Sequence, residues 1–411
     1  MTHRVLYFDH NATSPLDPAA REAWLEVMDG AWHNPSGLYP QATVARERLE
    51  DARERLADLL HADPARIVFT GGATAAANLV ARWLGRQAAA DARVITSGFE
   101  HPCVEDSLAT AFRSRVAALP VDCGGQVSAE AVVAAVADGE AERAAPAVGV
   151  VAVMAASNES GVLQPWQEIA GVCREQGLPF LCDASQWLGK CPVAGLGACE
   201  WLIGSGHKFG GPRGVGFLLL PSGAVFRGDL GGPQEAGRHA GTEDVASVVA
   251  MVAALEAREA RLAAGTAAFA AARDAAEARL IEQVPEAVIV GRDTQRLWNT
   301  LAVVIPGGDG KRLVAALGRA GIAASTGSAC SAGAASAPHV LAAIGAARLG
   351  LEPSDLRGMV RLSGGPDTPA EAWLEVVDAL AASVRDGAGG PPRVSLTSPP
   401  SRLPPAPGRQ L

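Results

Sequence analysis

The sequence lacks the features that would place it in a membrane or on a nucleic acid. Its 411 residues contain no apolar run of 18 residues and no basic amphipathic helix, and the opening string MTHRVLYFDHNATSP has no apolar run of signal-peptide length. We therefore expect a cytoplasmic protein that does not associate with membranes. The formal net charge of −9 argues against a nucleic-acid partner, which would need basic patches.

The seven cysteines form neither a disulfide framework nor a metal site. They are odd in number, irregularly spaced and without a CxxC pair, so we predict no metal centre. Most of them are expected to be small core residues. The exception is Cys330, because the small residues of STGSACSAGAAS leave nothing apolar around it. This thiol is predicted to lie exposed on a mobile loop, from which it could reach a bound substrate.

Lysine is scarce, which makes its positions informative. The chain has only Lys190, Lys208 and Lys311, and arginine supplies the other basic side chains. An amine can form a Schiff base with an aldehyde, whereas an arginine cannot. Asp183, 25 residues before Lys208 at the end of an apolar run, could pair with the ring nitrogen of pyridoxal phosphate (PLP). The alternative for these two residues is a surface lysine and a helix-capping aspartate.

Repeated strand, turn and helix units predict an α/β fold. Apolar runs lead into the turns FTGGAT, EHPC, ASNESG and LCDASQ, and helical spacing follows these turns. Such a chain forms a mostly parallel sheet with helices on both faces, and ligands bind at its carboxyl edge. The length suggests two domains, and a long alanine-rich helical region at 245–282 is predicted to lead into the second.

Two of these turns have the chemistry of a binding site. Gly71, Gly72 and Thr74 lie between a strand and a helix N-terminus, where free amides and the helix dipole favour an anion; the alternative is an ordinary tight turn. His101 follows the next strand, where it could lie on an aromatic cofactor or act as an acid–base group. The alternative for His101 is a helix cap.

Together these strings resemble the NifS-like cysteine desulfurases of the class V aminotransferase group of fold-type I PLP enzymes. The resemblance covers about residues 5–380 and is carried by YFDHNATSP, NPSG, FTGGAT, EHPCV, NESG, DASQ, SGHKFGGPRGVG, GRHAGT, STGSACSAG and VRLS. It implies an α/β fold with a mostly parallel seven-stranded sheet in a large domain, plus a smaller α/β C-terminal domain. The expected parts are an N-terminal segment 1–15 packed with the small domain, a PLP-binding domain 16–260, a small domain 261–385 with the Cys330 loop, and a disordered Pro-rich tail 386–411.

The resemblance also implies roles for individual residues. Lys208 is expected to bind PLP covalently and move protons, Asp183 to hold the pyridinium charge, and His101 to stack on the ring as an acid–base group. Cys330 is expected to take sulfur from L-cysteine, leaving L-alanine and a persulfide for a sulfur-acceptor protein. The residues that match the family's phosphate site are Ala73, Thr74, Ser205 and His207, and those expected at the ring oxygen are Asn158 and Gln186. The residues expected at the substrate are Asn158, Arg361 and Asn11. Thr242 matches a residue that contacts the phosphate of a neighbouring subunit, which implies a homodimer.

Two other functions stay open at the level of the sequence. The chain could be another class V enzyme, such as a selenocysteine lyase, a C–S lyase or a transaminase, in which Cys330 is incidental. It could also be a non-catalytic scaffold that keeps the fold. The joint presence of Lys208, Asp183, His101 and Cys330 argues against the scaffold, because a scaffold needs none of them.

Overall fold

The fold is seen in a computed structural model that describes residues 5–141, 147–229, 231–327 and 337–387. Cys330 and residues 388–411 of the predicted tail lie outside the described residues. The helices are α1 Pro18–Gly30, α2 Pro40–Leu60, α3 Ala73–Gln87, α4 Pro102–Ala111, α5 Ala129–Ala141, α6 Trp166–Glu175, α7 Gln234–Gly237, α8 Val245–Ala263, α9 Ala267–Gln283, α10 Gly310–Arg319, α11 His339–Ile344 and α12 Ala370–Arg385. The strands are β1 Leu6–Tyr7, β2 Ile67–Thr70, β3 Arg93–Thr96, β4 Val116–Ala118, β5 Val148–Ala152, β6 Phe180–Asp183, β7 Trp201–Ser205, β8 Gly216–Leu219, β9 Val288–Ile289, β10 Thr300–Val304, β11 Ile322–Ala323 and β12 Met359–Ser363.

The predicted seven-stranded sheet is confirmed. Its strand order is β2-β8-β7-β6-β5-β3-β4, and only β8 within it runs antiparallel to its neighbours. The central strands β6 and β7 are buried along their whole length, which explains their nearly unbroken apolar sequences. Apolar clusters from the flanking helices cover the two faces of the sheet. The strands β2, β3, β5, β6 and β7 therefore all end at one edge.

A second body of structure forms around β10, which pairs antiparallel with both β9 and β12. Helices α9, α10 and α12 pack on this sheet through a separate apolar cluster. The N-terminal segment joins the same cluster through Leu6 and Phe8, and β1 pairs with β11 in parallel. The first described residues of the chain therefore pack against its C-terminal part. The domain boundaries given above stay a prediction.

The predicted helical region at 245–282 is confirmed and consists of two helices. Helix α8 ends at Ala263 and α9 begins at Ala267. Gly265 between them has φ +115, a conformation that favours glycine and ends a helix. Among the described residues, no helix combines the length and the apolarity needed to cross a membrane.

Candidate active site

A cavity of about 480 Å³ opens at the edge where the parallel strands end. The loops that follow β2, β3, β5, β6 and β7 line it, together with Ala12 and Thr13 from the N-terminal segment. Nine of the residues singled out in the sequence face this one space: Ala73, Thr74, His101, Asn158, Asp183, Gln186, Ser205, His207 and Lys208. The strand ends thus bring together side chains that lie as far as 135 positions apart in the chain, from Ala73 to Lys208.

One end of the cavity is built to receive an anion. Gly72 has φ +119 and precedes α3, and no side chain among the described residues caps this helix N-terminus. The first amides of α3 and the helix dipole therefore remain available to a negative group. A Cβ placed on Gly72 would lie 3.7 Å from Ser205 Oγ, so a side chain there would occupy the space between them. His207 closes this side, where its Nδ1 lies 3.1 Å from Thr13 Oγ1.

Asp183 supplies a carboxylate at the carboxyl end of β6. The residue is only 7% exposed, and its Oδ1 accepts a hydrogen bond of 2.8 Å from the amide of Ser185. The Ser185 hydroxyl also faces the cavity and is buried without a hydrogen-bond partner in the part of the chain that the structure describes. A buried carboxylate and an unsatisfied hydroxyl are groups that gain from a polar ligand.

His101 is both a helix cap and a cavity residue, so the two interpretations of the sequence are compatible. Its Nδ1 accepts a hydrogen bond of 3.2 Å from the amide of Cys103 at the start of α4. Burial is the main cause that lowers the pKa of His101; Asp183 opposes this shift and Lys208 adds to it. The ring is therefore neutral near pH 7, and because Nδ1 accepts, the proton lies on Nε2.

Lys208 ends the short 3-10 turn Gly206–Lys208 that follows β7. Its Nζ donates to the backbone oxygens of Asn11 at 2.9 Å and Ala12 at 3.0 Å. These carbonyls belong to the N-terminal segment, which crosses the cavity after β1. The amine is thus oriented by backbone atoms that no side-chain substitution removes.

Arg361 does not line the cavity, although it lies next to residues that do. It is 1% exposed on β12, and its Nη2 contacts Asp9 Oδ1 at 2.6 Å. Its Nη1 donates to the carbonyls of Asn158 at 2.7 Å and Gly327 at 2.8 Å. The Arg361 Nε is buried and has no partner among the described residues.

The remaining predicted residues lie elsewhere. The Asn11 side chain bonds to Thr300 Oγ1 at 2.9 Å and to the Asn158 carbonyl at 3.3 Å, whereas its own carbonyl contacts Lys208. Thr242 is exposed and takes no part in the cavity lining. Cys330 lies outside the described residues.

Sequence reasoning missed Cys103, whose thiol lines the cavity 3.1 Å from His101 Nδ1. It also passed over Arg213, which lines the cavity from the glycine-rich string after Lys208. The signal for Cys103 was its position two residues after His101, in a loop that follows a strand. The general rule that free cysteines are core residues concealed it.

Comparison with known proteins agrees with this geometry. The family model described as aminotransferase class-V matches residues 6–371. An IscS-like cysteine desulfurase of Mycobacterium tuberculosis is 35% identical over 395 residues, covering 93% of this chain and 98% of that protein. Among solved structures, a NifS-like protein superposes with a TM-score of 0.80 at 26% identity, over 93% of this chain and 100% of the other. The structure described as SspA in complex with cysteine gives a TM-score of 0.71 at 28% identity, over 88% of this chain and 99% of the other.

Proposed function

Because the chain belongs to the class-V aminotransferase family and, within it, to the cysteine desulfurases, we propose that it converts L-cysteine to L-alanine and collects the sulfur on Cys330. The observation that carries this proposal is the single cavity shared by Lys208, Asp183 and His101. The net reaction is L-cysteine plus the Cys330 thiol giving L-alanine plus the Cys330 persulfide. One Cβ–S bond breaks, one S–S bond forms, and a proton replaces sulfur on the carbon, so no external oxidant or reductant is needed.

The residues of the cavity fit PLP, the cofactor that the family implies. The uncapped start of α3, together with Ser205 and His207, would hold the phosphate. Asp183 would hold the ring nitrogen, since a buried carboxylate prefers a cationic partner. When bound, PLP supplies an aldehyde for the amine of Lys208 and a ring that withdraws electrons from the substrate.

Side chains of the protein would carry out the proton transfers and accept the sulfur. The Asn11 and Ala12 carbonyls keep Lys208 Nζ at a fixed position, from which it can take and return a proton. His101 enters neutral with its proton on Nε2, so that nitrogen donates rather than accepts. The Cys330 thiol accepts sulfur and must then leave the cavity to pass it on.

We propose that Arg361 receives the carboxylate of L-cysteine. Its unpartnered Nε and its Nη2 form an edge that suits two carboxylate oxygens. Asp9 occupies Nη2, and the Asp9 side chain is 21% exposed, whereas that of Arg361 is 2% exposed. The substrate would therefore take the place of Asp9 on this edge.

The partners of the protein are also proposals. The exposed position of Thr242, away from the cavity, suits a contact with the phosphate site of a second copy, which is why we propose a homodimer. A persulfide needs a recipient, which we propose to be a sulfur-acceptor protein. The described cysteines form no disulfide with one another, which suits a reducing compartment, and we propose the cytoplasm.

Replacement of Cys330 tests this function. Cys330→Ala should keep the visible absorbance of bound PLP and lose persulfide formation, because only the sulfur acceptor is removed. Cys123→Ala is the matched control, since Cys123 is exposed and does not line the cavity, and it should behave as wild type. Cys103→Ala tests the thiol that lines the cavity beside His101, and it should keep persulfide formation on Cys330. Unimpaired persulfide formation in Cys330→Ala would exclude Cys330 as the sulfur acceptor and contradict the proposal.

A further inference from the structure

Lys190 is a buried lysine for which the proposed reaction has no use. It is 5% exposed, lies in the turn region after β6, and donates from Nζ to Gln186 Oε1 at 2.5 Å. The indole of Trp298 donates to the Lys190 carbonyl at 2.9 Å, so the neighbouring packing depends on the backbone rather than on the amine. The lysine side chain can therefore be changed while this structural contact stays.

The surroundings of Lys190 are cationic. Besides burial, the pKa of Lys190 is lowered by three positive charges on different elements, those of Lys208, Arg258 and Arg361. The charge of Lys190 in turn adds to the burial that lowers the pKa values of His10 and His207. The only opposing group among the strongest influences is the neighbouring thiol of Cys191. Burial, with Lys208 as the next cause, lowers the pKa of Lys190 well below its usual range. In the part of the chain that the structure describes, no carboxylate forms an ion pair with it.

Gln186 connects Lys190 to the cavity. Its Oε1 accepts from Lys190, and its Nε2 donates to the Asn11 carbonyl at 2.8 Å. The same carbonyl accepts from Lys208 Nζ at 2.9 Å. A carbonyl can only accept, which assigns the nitrogen of the Gln186 amide to the Asn11 side, and Lys190 occupies the oxygen. The group that Gln186 can still offer to the cavity is therefore its second N–H.

We propose that Lys190 is a positioning residue that pins the Gln186 amide, so that this side chain presents a donor to the cavity and sets how firmly the bound cofactor and Lys208 keep their proton. The inference rests on the proposed function, because it needs PLP in the cavity. A hydrogen-bond donor beside an oxygen stabilises the anionic form of that oxygen. With Lys190 in place, the ring oxygen that Gln186 is expected to face is kept in its anionic form.

The test is a spectrophotometric pH titration of the PLP-loaded protein. Lys190→Met removes the donor at similar length and leaves the Asn11 carbonyl as the one remaining described contact that orients the Gln186 amide. The amide is then held less firmly, so the pKa of the cofactor absorbance change should rise by about half a unit to one unit. Lys311→Met is the matched control, the same substitution at an exposed lysine, and should leave the titration unchanged. An unchanged titration in Lys190→Met would overturn the inference.

A double-mutant cycle decides whether Lys190 acts through Gln186. In a Gln186→Leu background, Lys190→Met should produce no further shift, because the amide that it orients is gone. A shift of the same size in that background would overturn the inference. If Lys190→Met does not fold, Lys190→Ala takes its place and must give a shift in the same direction. A wild-type protein that binds no PLP would instead overturn the proposed function, which separates the two failures.

Discussion

The Arg53–Glu235 and Arg361–Asp9 ion pairs each contain a buried arginine, but the two arginines use their donors differently. Arg53 on α2 meets Glu235 through two bonds of 2.8 Å, with side-chain exposures of 11% and 3%. Each nitrogen of Arg53 donates a hydrogen bond, because Nε and Nη2 also contact Glu50 and Nη1 also contacts the Ile67 carbonyl. In the Arg361–Asp9 pair the arginine keeps a buried, unpartnered Nε among the described residues.

This difference separates a pair that stabilises the fold from one that is placed to exchange partners. Glu235 also accepts from the Phe69 amide at 2.9 Å and so fixes α7 against β2, the strand that leads to the cavity. Asp9 makes a single contact with Arg361 and is 21% exposed. A fully satisfied buried pair has nothing to offer a ligand, whereas an incompletely satisfied arginine does.

Removal of one partner from the satisfied pair should have the largest effect, and it should be on stability. Glu235→Ala leaves Arg53 as a buried charge without its main partner, so the free energy of unfolding should fall by about 3–5 kcal/mol. Urea denaturation measures this loss. The kcat/KM of the protein that remains folded, with saturating PLP, should stay close to wild type; a collapse of activity at unchanged stability would reverse the assignment of the two pairs.

The second effect should be on activity. Arg361→Lys keeps the positive charge but loses the planar edge for two carboxylate oxygens, so kcat/KM for L-cysteine should fall by about 100-fold, or about 3 kcal/mol. Arg48→Lys, in an exposed pair with Glu26, is the matched control and should keep full activity. A lysine at 361 that supports wild-type kcat/KM would rule out Arg361 as the carboxylate site.

Glu100 is a buried acidic residue that, among the described residues, forms no ion pair, unlike Glu235 and Asp9. Glu100 accepts from Ser97 Oγ at 2.7 Å and from the Met154 amide at 2.8 Å, and its Oε2 has no partner among the described residues. Burial raises the pKa of Glu100 to about 8. The native state therefore holds a proton that the unfolded state releases above pH 4.5, its ordinary value. Stability from this residue must accordingly fall as the pH rises from 4.5 to about 8.

Glu100→Gln, which mimics the protonated acid, should remove this dependence. Relative to the variant, the wild type should lose unfolding free energy progressively across that window, as measured by urea denaturation at several pH values. Parallel curves for the two proteins would show that Glu100 titrates normally in the native state.

The smallest effect is expected for an exposed pair. Arg48 and Glu26 lie 2.6 Å apart, but their side chains are 48% and 61% exposed. Glu26→Gln should therefore change the free energy of unfolding by less than about 1 kcal/mol, as measured by urea denaturation. A loss as large as that of Glu235→Ala would mean that burial does not separate these pairs.

Much of the site could be predicted because its residues follow strand ends. Asp183 ends β6 and Lys208 follows β7, and parallel neighbours place their carboxyl ends together, so local apolar patterns were enough. The α/β fold was predicted on the same basis, whereas the family was predicted from the resemblance of the motif strings, and both are confirmed. Residue roles within the cavity stay predictions.

The rest depends on contacts between distant segments, which local patterns do not contain. Asp9 and Arg361 are separated by 352 positions, and nothing around either residue indicates the other. Lys190 belongs to a polar string, GKCP, yet the packing of Trp298 and the network around Gln186 bury it. The break at Gly265 needed knowledge of its positive φ, because alanine-rich sequence continues on both sides.

The most direct measurement of the central claim is a single turnover with L-cysteine, followed by quantification of alanine and mass analysis of the peptide that contains Cys330. We expect alanine and one additional sulfur atom on Cys330 to form in equal amounts. The formation of pyruvate or free sulfide with Cys330 unmodified would contradict the account.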